Sequence, residues 1–143
     1  MLVVDDSLLL LLLAGVAGPE PTNALRQSQV FTTGSWYWRL ARAIRDPRSV
    51  GTLTRAFSAL TVSEQDAVHS ALAELPGQVG LIGPRDLVPV MTSLPTPRRL
   101  NLLTAEAIAT AILLDATIAV TTESDLLHEA CSTLGVPVRS DLT

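Results

Sequence analysis

Short apolar runs alternate along this chain with longer stretches of helical character. LVV (2–4) reads as a buried strand. Asp5-Asp6-Ser7 then opens a helix of Leu residues, with Ser7 or Asp6 as its expected cap and Gly15, Gly18 and Pro19 as its end. A short helix around Thr22–Gln27 leads into a second strand, QVFTT (29–33). Gly34 and Ser35 open a helix, WYWRLARAI, that halts around Asp46-Pro47, and residues 49–60 read as helical. Ser63 with Asp66 predicts a capping box for a helix that reaches Leu75 and closes at Pro76-Gly77. QVGLIG (78–83) reads as a third strand. PRDLVPVMTSL reads as a helix with Pro84 in its first turn and Pro89 as a kink or an early end. Asn101 or Thr104 caps a long apolar helix to Asp115. TIAVT (117–121) is a fourth strand, Glu123–Leu134 a helix stopped by Gly135, and VPVR (136–139) a fifth strand. Strands alternating with helices predict an α/β fold with a mainly parallel sheet. No linker or repeat divides the chain, so residues 1–143 are read as a single domain.

Composition fits that architecture. The chain is 48% apolar but only 3% aromatic, with a mean hydropathy of +0.37. Its core must therefore be Leu, Val, Ile and Ala, which suits strands buried on both faces. There are ten Arg and no Lys, so any mechanism that needs a lysine is excluded. A net charge of −4 and a pI near 5.0 exclude binding to nucleic acid by bulk attraction. The charge is uneven, however: residues 36–57 hold five Arg against one acid, Asp46. Cys131 is the sole cysteine, which excludes an internal disulfide or a multi-Cys metal site, and a reducing, cytoplasmic setting is expected. No basic residue precedes the six-Leu run, as a secretory signal requires, and a membrane span needs about 20 apolar residues. The Leu run is read as folded core, with no membrane partner.

The candidate chemistry is carboxylate chemistry. VVDDS resembles the opening of a response-regulator receiver, but that family needs an Asp after its third strand and a Lys after its fifth. QVGLIG ends without an Asp and the chain has no Lys, so the receiver reading fails. Ligands of open α/β sheets bind beyond the C-terminal strand ends, at the point where strand order reverses. Asp5 ends the first strand, and Glu123 lies two residues past the fourth. Glu106 is the lone charge between Arg99 and Asp115, on a helix otherwise apolar. A buried acid without a partner is costly, and three carboxylates meeting at one edge suit Mg²⁺ or Mn²⁺. The alternative for Glu123 is the helix dipole, and for Asp125 a capping box with Thr122. Asp6 is read as a cap, and His69 and His128 as surface residues.

MLVVDDSLLLLLLAG is similar to the opening of PIN-domain ribonucleases, in which a first strand ends in Asp, a small residue, then Ser or Thr; here Asp6 takes the small residue's place. EAIATAILLDATIAVTTESDLL resembles their C-terminal block, and GVPV their last strand. The resemblance implies a three-layer α/β/α fold with a five-stranded parallel sheet in the order 3-2-1-4-5. It also implies metal ligands at Asp5, Glu106 and Glu123 with Asp125 as a neighbour, Mg²⁺ or Mn²⁺ as cofactor, and endoribonuclease activity on RNA. It further implies the toxin role of a toxin–antitoxin pair, an antitoxin partner, and a homodimer. One position departs: Arg39 stands where the family has a Glu on the helix after the second strand. A guanidinium there reverses a charge and can neutralise the remaining acids. The implied alternative is therefore a catalytically degenerate PIN-like module that binds RNA or protein. Trp36, Arg39, Arg42 and Arg45 are its candidate contacts, since Arg binds phosphates and both residue types stack on bases. The competing reading is that Trp36, Trp38 and Leu40 pack while the Arg stripe is solvated.

Overall fold

Strands β1 (Leu2–Val4), β2 (Val30–Phe31), β3 (Val79–Gly80), β4 (Thr117–Ala119) and β5 (Val138–Arg139) form one parallel sheet in the order β3-β2-β1-β4-β5. This is the sheet the sequence predicts. The computed structural model describes residues 1–16 and 25–142. The expected stop at Gly18-Pro19 and the start of the helix from Thr22 lie outside the described residues. Strand order reverses between β1 and β4, where Val3 pairs with Ile118 and Val4 with Ala119.

Helices α1 (Asp6–Ala14), α2 (Gly34–Arg45), α3 (Thr52–Ser58), α4 (Val62–Ala73), α5 (Pro84–Thr92), α6 (Leu102–Leu114) and α7 (Asp125–Leu134) accompany the sheet. Side chains of a strand alternate between its two faces. Leu2 and Val4 accordingly join a core with Leu8, Leu9, Leu40 and Val68, whereas Val3 joins Ile118, Ile108, Leu127 and Cys131 on the opposite face. The two cores make three layers. The Leu run of α1 is buried on most sides (Leu8, Leu9, Leu10 and Leu13) and ends at Gly15, whose φ of 65° is the left-handed conformation that glycine adopts most readily.

Strand β2 ends before the two threonines of its run, whose side chains are used elsewhere. Thr32 is fully buried and donates its hydroxyl to the Val4 carbonyl, and Thr33 caps α2 by accepting from the Trp36 N–H. Three caps move from their expected positions. Asp5, not Asp6 or Ser7, caps α1. The capping box of α4 is Thr61 with Glu64, two residues before Ser63–Asp66. Ser124, not Thr122, caps α7, so the helix starts at Asp125 and Glu123 lies before it. Helix α5 runs through Pro89 to Thr92 rather than stopping there.

Phe31 and Gly80 face each other across β2 and β3. A Cβ on Gly80 would run into the Phe31 ring. Gly80→Ala is expected to cost about 1–3 kcal/mol through overpacking, read as a lower denaturant midpoint with an unchanged slope.

Candidate functional site at the sheet crossover

The C-terminal ends of β1 and β4 open into a groove of about 540 Å³, with α2, α3 and the start of α6 as its walls. That volume is within the range of small-ligand sites. Asp5 lies at its floor, buried, with both carboxylate oxygens engaged. Its Oδ1 accepts from the Leu8 N–H at 2.9 Å, capping α1. Its Oδ2 accepts from the Thr121 N–H at 2.7 Å and from the Thr121 hydroxyl at 2.8 Å. The Thr121 amide therefore turns to Asp5, leaving the end of the predicted fourth strand outside the sheet ladder. One carboxylate thus ties the start of α1 to the segment that follows β4.

Asp6, the first residue of α1, has the opposite situation. Its side chain is only 10% exposed, and Oδ2 is buried with no hydrogen-bond partner. The Arg39 Nε lies 3.4 Å from that oxygen, close enough for ionic attraction but without hydrogen-bond geometry. Burial raises the Asp6 carboxyl above its ordinary range, the Arg39 charge opposes this, and neighbouring Asp5 adds to the rise. Asp6 is therefore a strained carboxylate beside an arginine rather than a satisfied cap.

The other acids predicted for the site have duties elsewhere. Glu106 on α6 receives the Gly34 N–H at 3.0 Å, the Ser35 N–H at 3.3 Å and the Ser35 hydroxyl, so it stabilises the N-terminus of α2. Glu123 is exposed. Its Oε1 accepts from the Ser140 hydroxyl at 2.6 Å and lies 3.6 Å from His128 Nε2; both contacts lower its pKa, the Ser140 bond most. Asp125 lies in the first turn of α7, exposed. Asp5 lines the groove; Glu106, Glu123 and Asp125 do not. Among the described residues, no group of three or more His, Cys, Asp or Glu side chains is placed to hold a metal ion. The acids expected to hold Mg²⁺ or Mn²⁺ are thus not gathered into one donor set: Asp5 accepts from three protein donors, Glu106 binds a helix end, Glu123 serves Ser140, and Asp6 faces a guanidinium. Cys131 is buried, and burial pushes its thiol up to about 11, which fits a packing role.

Helix α2 sorts its aromatic and basic residues by face. Trp36 and Leu40 are buried, and the Tyr37 hydroxyl donates to the Leu72 carbonyl at 2.7 Å. Trp36 is therefore mainly a core residue that also forms part of the groove wall, not an exposed contact. Trp38 is 59% exposed, and the Arg42 guanidinium lies over its ring at 5.2 Å. Trp38 was expected to pack; it lies two positions from both Trp36 and Leu40, which places it off their buried stripe. Arg39 and Arg42 line the groove, and Arg45 extends the exposed stripe beyond it. His69 and His128 are exposed, as predicted. No helix among the described residues is long and apolar enough to cross a membrane. The chain matches no protein-family model, no curated protein and no solved structure.

Two outcomes follow from these bonds. Asp5→Asn places an amide donor or a lone acceptor against three donors and is expected to cost about 2–4 kcal/mol of stability; Glu106→Ala removes the acceptor of the first two amides of α2 and is expected to cost about 1–2 kcal/mol. Urea unfolding of each variant checks both. For Asp6 the sign is reversed. Its folded pKa is above its unfolded value, so the folded state binds more protons between the two, and this group's contribution to stability falls as pH rises through that window. Asp6→Asn is expected to raise the melting temperature at pH 7 and to remove that acid-side gain, measured by melting curves across pH 3–7.

Proposed function

We propose that this protein is a catalytically silent PIN-like module that binds single-stranded RNA along the groove and the exposed face of α2. The observation that carries this reading is the arrangement of Arg39, Arg42 and Trp38. Arg39 and Arg42 line the groove, and the Arg42 guanidinium lies over a Trp38 ring that is more than half exposed. Arginine presents up to five donors to phosphate oxygens. An exposed aromatic ring gives a base a stacking surface worth about 1–3 kcal/mol. The chain as a whole is acidic, so attraction is confined to this face and its strength depends on few phosphates.

The three donors on Asp5, the bonds of Glu106 to the start of α2 and the charge of Arg39 support binding without hydrolysis. In this reading Asp5 and Thr121 hold the groove floor, Arg39 and Arg42 contact the backbone, and Trp38 stacks on a base. No residue is assigned a proton-transfer step.

Fluorescence anisotropy with a labelled single-stranded RNA tests the proposal. Contacts to two or three phosphates predict a log–log salt slope of about −1.4 to −2.1. Trp38→Ala is expected to weaken binding about 5- to 100-fold, and Arg42→Ala to reduce the salt slope. Absence of RNA binding at low salt would overturn the reading. RNA cleavage in Mn²⁺ that disappears in a folded Asp5→Asn variant would instead establish the ribonuclease.

A further inference from the structure

Arg39 already has an anion beside it. The Asp6 carboxylate lies 3.4 Å from Arg39 Nε, within the same groove. No hydrogen bond joins the two, and Asp6 Oδ2 has no other partner. The Arg39 side chain remains 47% exposed while the Asp6 side chain is nine-tenths buried. A carboxylate that oriented the guanidinium for a ligand would do so through directional hydrogen bonds. This pair has attraction without direction. Asp6 therefore supplies charge to the groove and does not fix the aim of Arg39.

The charges at this end of the sheet nearly cancel. Asp5 and Asp6 precede and begin α1, and Arg39 and Arg42 project from α2 one turn apart. Asp5 is committed to three donors, so its charge is spread over them. Asp6 Oδ2 accepts no hydrogen bond. An incoming oxyanion that reaches Arg39 must approach a buried carboxylate oxygen that nothing else neutralises.

We infer that the groove contains a site for a single oxyanion, held by Arg39 and Arg42, and that Asp6 is a resident competitor that weakens it. The inference rests on the proposed reading only in taking the oxyanion to be an RNA phosphate; the site itself follows from the ion pair and the groove. Like charges a few ångströms apart near a protein surface interact strongly enough to change an equilibrium by roughly tenfold. Removing the Asp6 charge is thus expected to tighten oxyanion binding by about that factor. A positioning role for Asp6 predicts the opposite sign.

Calorimetric titration with sulfate at low ionic strength, whose charge does not change near neutral pH, provides the test. Wild type, Asp6→Asn, Arg39→Gln and the double variant are compared, with Asp6→Ser as a second neutral replacement if Asp6→Asn melts abnormally. Asp6→Asn is expected to bind sulfate roughly tenfold more tightly than wild type. Arg39→Gln is expected to weaken binding in both backgrounds. Binding that is weaker or unchanged in Asp6→Asn and Asp6→Ser, binding undiminished in Arg39→Gln, or no sulfate binding by any variant would overturn the inference. The same ranking with an RNA oligonucleotide lacking terminal phosphates supports RNA as the occupant. Sulfate binding in the expected ranking without RNA binding would retain the competition and overturn the RNA reading.

Discussion

The Asp5 carboxylate is the constraint on which the rest of this end of the molecule depends. A parallel sheet leaves backbone donors unpaired where its strands stop, and a helix leaves its first N–H groups unpaired where it begins. At the crossover these two needs occur side by side. Asp5 meets both, with one oxygen on the Leu8 amide and the other on the amide and hydroxyl of Thr121. It thereby fixes the angle at which α1 leaves β1 and the path of the chain beyond β4. The position of Asp6 as the first residue of α1, against Arg39, follows from that anchor.

The same physics accounts for Glu106. An isolated acid on an apolar helix looks like a ligand awaiting a cation, but the N-terminus of α2 supplies partial positive charge and two amide donors. Gly34 is part of that arrangement: a Cβ there would lie 3.3 Å from Glu106 Oε1. A helix start thus accounts for this carboxylate. Donors engage both oxygens of Asp5 and of Glu106, while the groove keeps two arginines. The two acids and two arginines of the groove nearly cancel in charge.

The alternation of strands and helices and the burial of the Leu run were legible in the sequence because each rests on hydrophobic periodicity, whereas the sheet order came only from the resemblance of the two terminal blocks to a known family. The caps were less so. Patterns of Ser or Thr followed three residues later by an acid occur in several frames. Thr61 with Glu64, rather than Ser63 with Asp66, is selected by where the buried face of α4 begins at Val68 and Ala71. The partners of Asp5 and Glu106 were beyond reach, since Thr121 and Gly34 lie 116 and 72 residues away in sequence. Arg39 was identified as the departure from the ribonuclease pattern, and its neighbour could not be: Asp6 read as a cap until Asp5 took that place. The separation of Trp36 from Trp38 was available in the helical spacing, because Trp36 and Leu40 share a face that Trp38 does not.

The central claim is that the crossover carboxylates are engaged by protein donors and by arginine, with no group of three or more His, Cys, Asp or Glu placed to hold a divalent ion among the described residues. Paramagnetic broadening of amide signals in the ¹⁵N-labelled protein tests this most directly, because Mn²⁺ bound at the crossover would selectively bleach the signals of Asp5, Asp6 and Thr121. Titration with Mn²⁺ is predicted to leave those three amides no more broadened than exposed acidic residues elsewhere. Selective loss of the three signals at low stoichiometry, reversed by Mg²⁺, would contradict the account.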